Sequence, residues 1–169
     1  MRKKPLRHTG ATGAELDELM VSAERVFSSS HAESLDQVAA AMSSVRTATG
    51  LVGDELERAT QYGLALEDTL GYEVSQSART ANSLMKNFGL SAQEAYNLIT
   101  IGAQSGADKN GDLLDVLNEY SAHYAALGLS AEEFMSSLID GAEAGVFSVD
   151  KVGDAVKEFN IRAKDGSET

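Results

Sequence analysis

The strongest constraint on this chain is that it repeats itself every 39 to 40 residues. Thr9-Gly10-Ala11-Thr12-Gly13-Ala14-Glu15-Leu16 matches Thr49-Gly50-Leu51-Val52-Gly53-Asp54-Glu55-Leu56 at an offset of 40. Gly50-Leu51 returns as Gly89-Leu90 and Gly128-Leu129, each 39 residues further on. A second series keeps the same step, with Ala23, Gly63, Gly102 and Gly141. Two series in register define four units, near 10–49, 50–88, 89–127 and 128–163. A repeated unit of this size cannot bury its apolar face alone, so it must stack on its copies.

Each unit reads as two helices. Capping boxes open the first helix of three units, at Thr12-x-x-Glu15, Ser91-x-x-Glu94 and Ser130-x-x-Glu133. The hydroxyl takes an orphan N–H of the first turn, and the carboxylate reaches back to the cap N–H. Unit two has Val52 at that place and a weaker start. Ser34-Leu35-Asp36-Gln37 predicts a further box at the second helix of unit one.

Apolar residues then recur at helical spacing. The second helices carry Leu35, Val38, Met42 and Val45, then Val74, Ala81, Leu84 and Phe88. In the later units they carry Leu113, Leu117, Tyr120, Tyr124 and Leu127, then Val149, Val152, Val156 and Phe159. The first helices carry Leu16, Leu19, Ala23 and Val26, with equivalent stripes through Gly63, Gly102 and Gly141. No window alternates with the two-residue period of a strand. The expected fold is therefore all-α, about eight helices in four helix pairs, built as a short α-solenoid or a compact helical array. A mid-helix glycine costs about 0.8–1 kcal/mol against alanine. Its return on the apolar stripe predicts close helix approach there. The expected organisation is a basic disordered lead-in over 1–8, one repeat domain over 9–163 and a disordered tail over 164–169.

Charge narrows the functional classes. The net charge is −12, from 14 basic and 26 acidic residues. Four of the basic ones, Arg2, Lys3, Lys4 and Arg7, precede residue 9, which leaves the body strongly acidic. Such a body repels phosphate, so nucleic-acid binding by the folded part is not expected. With no cysteine, the chain has no disulfide scaffold, thiol nucleophile or thiolate metal site. No apolar run reaches the roughly 18 residues of a membrane span, and no signal-peptide core follows the basic start.

Site chemistry is thin. His8, His31 and His123 lie far apart, and His123 sits between Tyr120 and Tyr124 as an edge-of-core residue. Ser83-Leu84-Met85-Lys86 has the Ser-x-x-Lys spacing of penicillin-recognising enzymes without their companion motifs. Asp108, Asn110, Asp112 and Glu119 fall at positions 1, 3, 5 and 12 of a calcium loop. Position 6 of such a loop requires Gly and here holds Leu113. The better reading is a polar turn with Asp112 as a helix N-cap. No catalytic, cofactor-binding or metal-ligating residue is assigned, and no cofactor is expected.

Three segments resemble the core region of phage tail tape measure proteins. They are Thr9–Met20 (TGATGAELDELM), Gly102–Ser121 (GAQSGADKNGDLLDVLNEYS) and Asp150–Arg162 (DKVGDAVKEFNIR). Leu127–Ala131 and Asp165–Ser167 fit as well, so the likeness runs in order over residues 9–167. The resemblance implies a non-enzymatic structural protein of the tail lumen, made in the host bacterial cytoplasm. It would help to set tail length and assembly and would leave during DNA ejection. Implied partners are the tail tube protein, tail-assembly chaperones and sister copies. A helix of 169 residues spans only about 250 Å at 1.5 Å per residue, so a domain or fragment of a prophage-encoded member is expected. The alternative is a free-standing α-helical repeat module that binds a protein partner.

Overall fold

The computed structural model describes residues 13–30, 32–146 and 148–166. Among them are eight helices and no strand. They are α1 (Ala14–Ser29), α2 (Leu35–Thr49), α3 (Gly53–Leu70), α4 (Val74–Phe88), α5 (Ala92–Gln104), α6 (Leu113–Ala126), α7 (Ala131–Glu143) and α8 (Asp150–Asp165). Two helices fall in each sequence unit, so the all-α reading with four helix pairs holds. The basic lead-in over 1–8, the cap residue Thr12 and His31 lie outside the described residues, as do 167–169. Helix α8 continues past 163 through Asp165, where Gly166 closes it in the left-handed conformation, φ 62°.

The chain divides into two compact units, Met1–Arg79 and Thr80–Thr169, with the division inside α4. In the first unit α1 packs on α2 and both pack on α3. Leu19, Ala23 and Val26 of α1, Val38, Met42 and Val45 of α2, and Leu56 and Ala59 of α3 are buried. Arg25 of α1 reaches Glu57 of α3 at 3.4 Å, and Gln61 donates to Ser29 at 2.7 Å. In the second unit like helices stack on like, α5 on α7 and α6 on α8. The C-terminal half of α4 joins α6, where the Thr80 hydroxyl donates to the Leu114 carbonyl at 3.1 Å.

Two of the predicted capping boxes form in full. Ser91 and Ser130 each complete a capping box with Glu94 and Glu133. The Ser91 backbone and hydroxyl, both bonded to Glu94, hold that carboxyl below its usual range. Ser34 accepts from the Gln37 N–H, but the Gln37 side chain turns to the Glu33 N–H instead of completing the box. The first described cap of α1 is Gly13, without a side-chain bond, and Glu15 pairs with Arg46 of α2. The Gly50, Gly89 and Gly128 series marks the ends of second helices. All three hold φ between 71° and 78°, a left-handed turn that side chains resist.

Glycines on the apolar stripe allow close approach, as their spacing predicts. A Cβ on Gly102 of α5 would lie 2.5 Å from Sδ of Met135 on α7. One on Gly141 of α7 would lie 2.6 Å from Cγ2 of Val152 on α8. The tightest approach is at Gly153 of α8, where a Cβ would meet the Tyr120 ring at 2.2 Å. That contact turns α8 from its expected face. Phe159, assigned to the apolar stripe, is 64% exposed, and its neighbour Asn160 is buried in its place. Gly153 and Asn160 share the side of α8 that meets α6, and Phe159 lies off that line.

Gly153→Ala should therefore destabilise the fold by about 1–3 kcal/mol, because a rigid ring cannot yield to the added methyl. Gly102→Ala should cost clearly less. The flexible end of Met135 can swing aside, and alanine recovers about 0.8–1 kcal/mol of helix propensity. Urea melts of the two variants against the parent chain measure the difference.

Candidate functional site

Ser83, Asp108, Asp112, Glu119 and His123, which sequence patterns single out, each have a structural partner. Asp108 Oδ1 accepts from the Leu113 N–H at 2.9 Å, so Asp108 caps the first turn of α6. Asp112 stands at the N-cap position but makes no side-chain cap bond. Its carboxylate instead accepts from the Ser148 hydroxyl just before α8. The expected cap is thus displaced by four residues, because the loop folds Asp108 over the helix start. Glu119 accepts from Lys157 of α8 at 3.3 Å. Three of the four calcium-loop positions therefore turn to different partners. Among the described residues, no three His, Asp or Glu side chains gather in a way that could hold a metal ion.

The other two patterns are used in helix packing. Ser83 of α4 donates to the Asn118 side-chain carbonyl of α6, and Asn87 Nδ2 donates to Ser121 Oγ at 2.7 Å. His123 is half-buried, with Nδ1 3.3 Å from Asn160 Nδ2. One open depression of about 680 Å³ is lined by Ser29, Gln37, Gln61, Tyr62, Glu67 and Asp68. Another of about 440 Å³ lies among Glu18, Val21, Val52 and Asp54. In the second, the lining Arg25 and Arg46 pair with Glu57 and Glu15.

What the chain does build is a ladder of contacts between successive second helices. Thr80, Ser83 and Asn87 of α4 meet Leu114, Asn118 and Ser121 of α6. Glu119, Tyr120 and His123 on another side of α6 meet Lys157, Gly153 and Asn160 of α8. The Tyr120 hydroxyl donates to Asp150 Oδ1 at 2.8 Å. Burial, and then this bond and the charge of Asp150, push its phenol well above the ordinary value. Tyr124 stacks on Phe134 with centroids 4.0 Å apart, a contact worth about 0.5–1.5 kcal/mol beyond its area. Burial raises its phenol too, and the Ser137 bond opposes that rise. These surfaces, not a pocket, are where the repeat spends its polar side chains.

A sequence profile for phage-related minor tail proteins matches residues 22–169. The chain belongs to that family. A protein of Streptomyces phage phiC31 described as a probable tape measure protein is 32% identical over 84 residues. That likeness covers 49% of this chain and 11% of the phage protein. No solved structure matches. The profile and the relative bear out the resemblance to tape measure proteins drawn from the sequence segments. They support a structural role in the phage tail. Among the described residues no helix is long and apolar enough to cross a membrane.

Two measurements follow from the ladder. Asp108→Ala should lower stability by about 1 kcal/mol in a denaturant melt, since it uncaps α6. Raising pH should also lower stability. The Tyr120 phenol holds its proton more tightly folded than unfolded, so its contribution is complete below about pH 10. Above that, unfolded tyrosine ionises first and stability falls. In Tyr120→Phe, the fall in stability above pH 10 should be shallower.

Proposed function

We propose that this chain is part of a tape measure protein, acting in the lumen of a phage tail. In this reading it helps to determine tail length and tail assembly, and it leaves the tail when DNA is ejected. The observation that carries the proposal is the 84-residue likeness to the probable tape measure protein of phage phiC31. The family match over residues 22–169 supports the tail setting. The likeness covers 11% of that relative, which suits a chain that supplies one section of a longer ruler. The ruler would be phage- or prophage-encoded and synthesised in the bacterial cytoplasm.

The physical chemistry is consistent with that role. A lumen protein must clear the path of DNA, and a net charge of −12 disfavours adhesion to phosphate. Its contacts would be with the tail tube protein, with tail-assembly chaperones before the tube closes, and with sister copies. Neutral or basic surfaces suit an acidic partner, since a second acidic wall would repel it. No chemistry at a reacting atom is required of any residue in this role.

In-frame removal of the matching codons from an active phage carrying this sequence should lower the yield of complete tails or shorten them. Electron microscopy of negatively stained particles reads both quantities. Unchanged tail yield and length would count against the proposal.

A further inference from the structure

Two helices of the first unit start out of step. Arg25 pairs with Glu57 and Ser29 accepts from Gln61, so α1 and α3 run parallel with an offset of 32 residues. That register sets Gly53, the first residue of α3, beside Val21 of α1. The turns of α1 before Val21 overhang the start of α3. The step between them is the depression of about 440 Å³ that Val21 and Val52 line. Leu19 and Leu56 in its lining are buried, whereas Val21 and Val52 are 51% and 66% exposed.

Val52 is out of character for its position in the repeat. The equivalent residues of the later units, Ser91 and Ser130, complete capping boxes. Val52 makes no cap bond, and it buries little of its side chain either. Apolar surface held in a recess with a polar rim is where a side chain of a docking segment fits.

Charge says what kind of segment. Five acidic side chains and two arginines line the recess. Both arginines are paired, Arg25 with Glu57 and Arg46 with Glu15. Asp17, Glu18 and Asp54 then give the recess a negative sign. A fitting segment is basic and carries an apolar side chain among its charges. Residues 2–7 of this chain, Arg-Lys-Lys-Pro-Leu-Arg, are such a segment, and they lie outside the described residues. Leu6 stands seven residues before Gly13, the N-cap of α1. Seven extended residues reach about 23–25 Å. From Gly13 to Val21 the helix rises only about 12 Å. The larger depression, at Ser29, lies about 24 Å along α1, at the limit of that reach.

We infer that residues 2–7 fold back over the α1–α3 recess of their own chain. Leu6 lies against Val21 and Val52, and the basic side chains lie over Asp17, Glu18 and Asp54. The short tether holds the arm at a high effective concentration, so weak contacts suffice. Docking asks nothing of the chain upstream of Arg2 and does not depend on the tail reading above.

The chain has no cysteine, so Pro5→Cys can carry a single nitroxide. Paramagnetic broadening of backbone amide signals in the whole chain then reads where the arm lies. At low salt the signals of Val21, Gly53 and Asp54 should be lost, while those of Glu67 and Asp68 at the far end of α3 stay sharp. At 1 M salt the screening length is about 3 Å, and the lost signals should return. They should also return at low salt in Glu18→Lys and in Val52→Ser. Glu18 is exposed, and serine is the residue two later units use at the place of Val52, so circular dichroism should be unchanged in both variants. Sharp signals at low salt in the nitroxide chain overturn the inference. Broadening that survives 1 M salt and both variants does so as well. A mixture of nitroxide chain with isotope-enriched chain lacking the label should show no broadening. Broadening there would mean that the arm belongs to another molecule, which also overturns the inference.

Discussion

The second half of the fold depends on how closely α8 can approach α6 at Gly153. The Tyr120 ring occupies the space where any other residue would carry a Cβ. With the helices that close, Tyr120 reaches Asp150, Glu119 reaches Lys157 and His123 reaches Asn160. Hydrogen bonds weaken steeply beyond their optimal length and angle. A few tenths of an ångström of separation would therefore loosen all three. The isolated surface ion pair among them would contribute about 0–1 kcal/mol at most. It is the close packing that makes the set cooperative.

The polar character of this ladder suits a repeat that carries a net charge of −12. Serine, threonine and asparagine hydroxyls and amides join α4 to α6 without adding charge. Thr80 and Ser121 among them are buried and need matched partners, so these two fix register as well as contributing stability. A sliding interface of leucines would tolerate several registers.

Much of this was legible in the sequence because it is local. The stripe glycines at Gly102 and Gly141 show through the repeat period, and the capping boxes at Ser91 and Ser130 are set by a few neighbouring residues. The same holds for the segments that resemble tape measure proteins. Gly153 is not legible in this way, because it stands outside the repeating glycine series and lies on a second helix. Asp112 was the natural cap by position, yet a loop of several residues brings Asp108 to the helix start instead. Of the residues at the Ser-x-x-Lys and calcium-loop spacings, Ser83 turns to Asn118 of α6 and Glu119 to Lys157 of α8.

The sequence by itself determined the eight helices found among the described residues, their pairing into units of 39 to 40 residues and the family to which the chain belongs. Helical periodicity and caps act within a few residues, so one chain segment is enough to read them. Only the tertiary structure decided which edge of each apolar arc faces a partner. A helix presents an arc of about 100° to its core, and the arc alone does not say where within it the neighbour sits. On α8 the choice went to Gly153 and Asn160 and left Phe159 in solvent, because the Tyr120 ring fits only against a residue without a side chain.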